Sequence, residues 1–225
     1  MTTADDGYQR PILTVDIVLL TMAENGLNVA VLERAADPYK GHKALIGGYV
    51  HVDEDKDDHA AVERVLMTKT GLSGIYFEQL KTFANATRDP RGWSSSIAFI
   101  ALAPIELIRS ASKTYPITIH PVDEIKGLAF DHDEILDFAI RRLRGKGAYS
   151  TLPAQLLGEK FTLPKLHEVY SKVMGVDLDM SSFRRKIADL DLIEETDEFE
   201  EPQPRRRPGR LYRLKHGVTT FDRSI

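Results

Sequence analysis

Two clusters in this 225-residue chain hold the residue types that chemistry requires. The first starts at Gly47-Gly48, passes through Glu54, Asp55, Asp57, Asp58, His59 and Glu63, and ends in the run 64–72. Carboxylates at that density could gather around Mg²⁺, which takes a near-octahedral set of oxygen ligands. Such an ion would help to cleave a phosphoanhydride by stabilising the developing anion. The spacing argues against this. Residues 65–72 contain no carboxylate, and a lysine at position 69 repels a cation. His59 lies four residues before Glu63, close enough to share a helix face, so Glu54, His59 and Glu63 remain as a displaced metal set. Acidic residues at a helix start are also what the helix dipole favours, and that is the preferred reading of the run. No metal ligand and no catalytic residue is therefore expected.

The second cluster is C-terminal and basic. Residues 187–201 hold eight acids and no base, whereas residues 203–225 hold seven bases against Asp222 alone. Arg205, Arg206 and Arg207 are pinned between Pro204 and Pro208, with Arg210 just beyond. Arginines at a turn bind a nucleic-acid backbone through phosphate contacts and counterion release. The alternative is a basic strand paired with the acidic segment as a solvated hairpin. Just upstream, Ser181, Ser182, Arg184, Arg185 and Lys186 fall on the polar face of a helix whose apolar face is Phe183, Ile187 and Leu190. Such side chains suit base edges in a major groove, arginine being the usual guanine reader.

The surrounding elements must position these clusters. Residues 13–22 and 27–32 read as strands around the hairpin turn Glu24-Asn25-Gly26. Residues 44–50 form a third extended segment leading to the glycine pair. A helix is predicted over 57–70, with Ala61, Val62, Val65 and Leu66 as its apolar stripe and Gly71 as its stop. Strands follow over 76–86 and 95–102, joined by the loop 87–93, and a helix over 132–143 ends the unit. Gly145-Lys146-Gly147 reads as a linker. Beyond it come helices over 151–157, 163–174 and 180–190, the last capped by Asp179, then strands from 192 and over 211–214. Three helices followed by a basic hairpin read as a winged helix-turn-helix.

Composition narrows the class. The length allows one large domain or two ordinary ones, and 42% hydrophobic residues can build a real core. The chain has no cysteine, which excludes disulfides, thiolate catalysis and thiolate zinc sites. Residues 1–9 are polar and acidic rather than a secretory leader, and no apolar run approaches membrane-spanning length. A cytoplasmic protein without a membrane role is expected. The formal net charge of −4 conceals the asymmetry between the two ends of the C-terminal segment.

Gly48, followed after five residues by Glu54, and the later run Arg64, Leu66, Gly71 and Leu72 resemble the Nudix signature. That signature is a Gly, then a Glu, closed by Arg-Glu-apolar-x-Glu-Glu-x-Gly-apolar. Its three helical glutamates fall here on Val65, Thr68 and Lys69, two extra residues separate Glu54 from Arg64, and Ile46 stands where a proline is usual. Thr14-Val15-Asp16, Leu32-Glu33-Arg34, Pro38-Tyr39, Ala44-Leu45-Ile46-Gly47-Gly48, Thr70-Gly71-Leu72 and Arg88-Asp89-Pro90-Arg91-Gly92 extend the likeness. With the winged helix, the chain resembles the Nudix-related transcriptional regulators of NAD metabolism, the NrtR family.

The resemblance implies an α/β fold, a Nudix-like α/β/α sandwich followed by a winged helix-turn-helix domain. The expected boundaries are 1–147 for effector binding and 148–225 for DNA binding. It implies a repressor that needs no cofactor, binds a palindromic double-stranded operator as a homodimer and senses ADP-ribose or a related nucleotide. A pocket for that dianion needs cations and a flat apolar surface. Arg34, Lys43, Arg64, Arg88 and Arg91 are the candidate cations, since arginine can donate two parallel bonds to phosphate. Gly47 and Gly48 would admit the ligand close to the backbone, and Trp93 or Phe83 would stack on adenine. Each has a plainer alternative: Arg34 could end a strand, Trp93 could sit in the core, and Arg64 could pair with Glu54 or another acid. Two other functions stay open. One is a Mg²⁺-dependent ADP-ribose pyrophosphatase using Glu54, His59 and Glu63; the other is an adaptor whose C-terminal module binds protein.

Overall fold

Alternation along the first strand sets the architecture. In the computed structural model, which describes residues 10–202 and 208–221, β1 (Ile12–Ala23) is buried over most of its length. Val15, Ile17 and Leu19 enter one apolar cluster, and Val18, Leu20 and Met22 enter another on the opposite face. A strand with two buried faces must lie inside a sheet covered on both sides. β1 pairs antiparallel with β2 (Gly26–Glu33) and parallel with β6 (Ser94–Leu102), which pairs antiparallel with β5 (Tyr76–Asn85). One face carries α1 (Asp58–Thr70) and α2 (Ile105–Ala111); the other carries α3 (His132–Gly147). The result is an α/β/α sandwich.

The predicted stripe of α1 is buried as expected, Asp57 caps its start by accepting the Ala60 amide, and Gly71 ends it at φ 69°. A side chain at Gly71 would also strike the Tyr115 ring, 2.5 Å from its ideal Cβ.

Two expectations are corrected here, and two elements are new. The extended segment 44–50 is two short strands, β3 (Lys43–Ala44) on β2 and β4 (Ile46–Tyr49) on β1. It breaks at Leu45, whose amide donates to Nδ1 of His132 at 3.0 Å instead of joining a ladder. The helix α2 and the strand β7 (Ile117–Pro121), which pairs with β2, had no sequence expectation. Gly145, Lys146 and Gly147 are not a linker: they form the last turn of α3, and Gly147 is buried where an added Cβ would lie 3.3 Å from Pro153 and 3.4 Å from Val173.

The C-terminal part comprises a 3-10 turn (Leu152–Leu156), β8 (Phe161–Thr162), α4 (Leu163–Met174), α5 (Met180–Asp189), β9 (Ile193–Phe199) and β10 (Arg210–Leu214). Its sheet runs β8-β10-β9. Phe161, Leu166, Tyr170, Phe183 and Ile187 form its core. Leu190, expected inside, is only half buried at the end of α5. The two parts also share apolar packing, since Leu152, Leu156, Val169 and Val173 belong to the same cluster as Ile140 and Leu143 of α3. The Tyr170 hydroxyl donates to the Ser150 carbonyl at 2.8 Å, and residues 219–221 bond back to Tyr149 and Thr151. Among the described residues no helix is long and apolar enough to cross a membrane.

Candidate functional site

A cleft of about 510 Å³ opens where β1, β4, α1, the loop after β5 and the start of α3 meet. Arg34, Gly47, Gly48, Arg64, Arg88 and Arg91 all line it. Lys43 and Trp93 do not. Lys43 sits exposed on β3, Trp93 is 51% exposed outside the cleft, and Phe83 is buried in the cluster facing α3. The aromatic surface of the cleft is instead Tyr49 and Phe130, which the sequence reading missed. Phe130 holds φ 58°, a left-handed backbone that bulky side chains seldom adopt. Its ring lies under the Arg34 guanidinium at 4.6 Å and edge-on to Tyr39 at 4.9 Å. Nothing in the local sequence marks it, because its place depends on residues nearly a hundred positions away.

The glycine pair serves packing more than ligand approach. An added Cβ at Gly47 would lie 2.2 Å from the Asp16 carboxylate, and one at Gly48 would lie 3.0 Å from Val65 of α1. Gly47 thus leaves room for Asp16, which pairs with it across β1 and β4. Asp16 accepts from the Ser96 hydroxyl at 2.6 Å and from Arg88 at 3.4 Å, and faces Nε2 of His132 at 3.5 Å. Because Nδ1 of His132 accepts the Leu45 amide, it is Nε2 that faces Asp16 as the donor. Burial alone would raise the Asp16 carboxyl; the His132 ring, the Ser96 hydroxyl and the Arg88 guanidinium outweigh it and hold it down at about 2.

The arginines of the cleft are mostly engaged. Arg88 is buried and forks onto Asp131 with two bonds of 2.8 Å. Arg64 forks onto Asp55 with two bonds of 2.7 Å and donates to the Tyr49 carbonyl, while Glu54 stands 3.9 Å away. That bidentate bond to Arg64 lowers the Asp55 carboxyl to about 2. Arg91 grips Asp89 and bonds the Tyr49 hydroxyl. Among the described residues the Arg34 guanidinium donates only to the carbonyls of Pro38 and Ala36.

The residues present do not fit a Mg²⁺ site. The last turns of α1 present Val65, Thr68 and Lys69 to the cleft and no carboxylate. The displaced set fails as well: His59 bonds Asp58 and packs on Phe77 and Phe99, and Glu54 bonds His51. Among the described residues no three His, Asp or Glu side chains converge as metal ligands.

At the other end of the molecule, α4 and α5 form the helix pair of a winged helix. Asp179 caps α5 by accepting the Ser182 amide at 2.8 Å, and the imidazole of His167 bonds the Leu178 carbonyl at 2.6 Å. Ser181, Ser182, Arg184 and Arg185 are exposed on α5 and Lys186 is half exposed. Among the described residues none of these three cations forms an ion pair, so they are available to phosphates or bases. Arg210 is differently placed: it pairs with Glu195 and lies over Phe199, as Arg213 pairs with Glu194 and Lys215 with Asp191. The solvated-hairpin alternative therefore describes the strands of the wing. Arg205, Arg206 and Arg207 lie outside the described residues.

The fold and the cleft define a Nudix-fold domain joined to a winged helix-turn-helix. Residues 153–214 match the family described as the NrtR DNA-binding winged helix domain. Over 211 residues the chain is 34% identical to the ADPR responsive transcriptional repressor NtrR of Acinetobacter baylyi, covering 92% of this chain and 83% of that protein. The chain belongs to the NrtR family. The crystal structure of Shewanella oneidensis NrtR complexed with a 27mer DNA superposes with a TM-score of 0.86 at 33% identity, covering 95% of this chain and 99% of that one. The Nudix domain of the same Shewanella protein, complexed with ADP ribose, aligns with a TM-score of 0.55 at 30% identity over 63% of this chain and 94% of its own.

Proposed function

We propose that this protein is a DNA-binding transcriptional repressor of NAD-metabolism genes that senses ADP-ribose and does not hydrolyse it. One observation carries the reading: the cleft keeps arginines and an aromatic wall suited to a nucleoside diphosphate, while α1 presents Val65, Thr68 and Lys69 where hydrolysis needs carboxylates. The relatives support it, one being an ADP-ribose-responsive repressor and another a structure bound to DNA. Residues 1–147 act as the effector-binding domain and 148–225 as the DNA-binding domain of a cytoplasmic homodimer. Two copies of α5 enter successive major grooves of a palindromic operator, about 34 Å apart. Arg184 and Arg185 contribute sequence preference, and the wing arginines contribute phosphate contacts.

The path from cleft to DNA runs through α3. Its first turn holds Arg88 through Asp131 and meets Asp16 and Leu45 through His132. Its last turn packs on Pro153, Val173 and Met174. Sixteen residues of helix span about 24 Å, so a ligand that moves the first turn moves the base of the winged helix. The deciding experiment titrates labelled promoter DNA from NAD-biosynthesis genes, with and without ADP-ribose, while AMP release is assayed with Mg²⁺. Specific binding relieved by intact ADP-ribose is the expected result. Rapid AMP release without specific DNA binding would make the protein a pyrophosphatase instead.

A further inference from the structure

The cleft has more positive side chains than it has free positive charge. Arg64 is matched by Asp55, Arg88 by Asp131 and Arg91 by Asp89. Among the described residues two lining cations remain without a carboxylate: Arg34 uses only part of its fork, on two backbone carbonyls, and the Lys69 ammonium makes no hydrogen bond or ion pair. Lys69 lies on the exposed side of the last turn of α1, at the rim of the cleft and one position after Thr68, whose hydroxyl is turned back onto the helix carbonyls of Arg64 and Val65.

A diphosphate bridge carries two negative charges. Nudix-fold hydrolases meet that charge with a metal held by the glutamates of this helix, and here the donor set does not fit a metal. We infer that Lys69, acting with Arg34, replaces the metal as counter-charge for the diphosphate, so that the cleft takes a nucleoside diphosphate sugar without any divalent cation. This rests on the reading of the cleft as an ADP-ribose site. The physics favours it: an ammonium on a flexible stem at a partly open site can place three donors against phosphate oxygens, and anion binding by charge-assisted bonds needs no ion to be recruited from solution. It also gives the substitution at position 69 a consequence beyond lost catalysis. The same side chain that repels Mg²⁺ supplies the attraction Mg²⁺ would have given.

The test measures ADP-ribose binding to the full chain by calorimetry, in EDTA and in millimolar Mg²⁺, for the wild type and for K69M, K69R and K69Q, with adenosine as a second ligand. Position 69 is exposed on a helix and all three replacements are good helix formers, so folding is preserved. The wild type should bind ADP-ribose equally in EDTA and Mg²⁺. K69M and K69Q should bind it roughly tenfold or more weakly, K69R should recover most of the loss, and adenosine should bind all four proteins alike. Wild-type binding that needs Mg²⁺, or K69M binding ADP-ribose as tightly as the wild type, overturns the inference and leaves the sensor reading standing. A wild type that binds no ADP-ribose under either condition removes both.

Discussion

A carboxylate buried beside an anion site needs a physical reason to stay charged, and Asp16 has three donors that supply it. The Ser96 hydroxyl, the Arg88 guanidinium and Nε2 of His132 all face its oxygens. Gly47 is the fourth condition, because no other residue leaves space for the carboxylate against β4. The folded-state value of about 2 lies below the ordinary 3.8. Asp16 therefore contributes stability in full above about pH 4, and that contribution is lost as pH falls towards 2. Linkage puts it on the order of 2 kcal/mol at neutral pH. Urea unfolding of wild type and Asp16→Asn should show a gap of that size at pH 7 that narrows steadily below pH 4. A gap that stays constant across that range would remove the charge from the explanation. The residues that sequence alone made visible were those whose type announces a role, such as Arg34 and Arg91 as candidate anion binders. Trp93 misled because residue type does not say which way a side chain faces. Phe130 was invisible because its place in the cleft depends on a left-handed backbone and on Arg34, far away in the sequence.

Among the elements, α3 departs most from its sequence signal, and the reason is tertiary. Gly145-Lys146-Gly147 has poor helix propensity and looks like a hinge. Yet the helix continues through it, because Gly147 must fit beneath Pro153 and Val173, where a larger residue would crowd. Periodic segments such as α1 and α4 were legible because their buried stripes are complete in themselves. The short α2 and the edge strand β7 were not, since each depends on a sheet assembled from elsewhere. The continuous helix makes a prediction. Gly145 is exposed, its ideal Cβ meets nothing within 4 Å, and it lies inside α3. Gly145→Ala should raise unfolding stability by about 0.5–1 kcal/mol, while ADP-ribose still releases the operator in a gel-shift titration. Loss of release with the fold intact would restore the hinge.

For the whole molecule, the proposed function asks how a chain of net charge −4 would bind a polyanion and let go of it when a ligand enters the cleft. The charge distribution answers the first part. Acids along β9 are matched by bases on β10, through Glu194 with Arg213 and Glu195 with Arg210, and among the described residues the exposed Arg184 and Arg185 of α5 have no carboxylate partner, which suits the DNA contacts proposed for them. Release is a property of two sites joined by one body. The shared apolar cluster and the bonds from residues 219–221 to Tyr149 and Thr151 leave few ways to move one end alone. A ligand shifts this body only by the difference in its affinity for the DNA-competent and DNA-incompetent arrangements. That difference must appear identically from either side. Saturating ADP-ribose should weaken operator binding by roughly 5- to 150-fold, and saturating operator should weaken ADP-ribose binding by the same factor. Both titrations belong in one buffer at fixed salt, because the phosphate contacts make DNA affinity steeply salt-dependent. Equal factors that each reach a plateau would establish a finite coupling between two distinct sites. Weakening of operator binding that keeps growing as ADP-ribose rises, without reaching a plateau, would mean that the nucleotide competes at the DNA surface itself, and the cleft would lose its part in regulation.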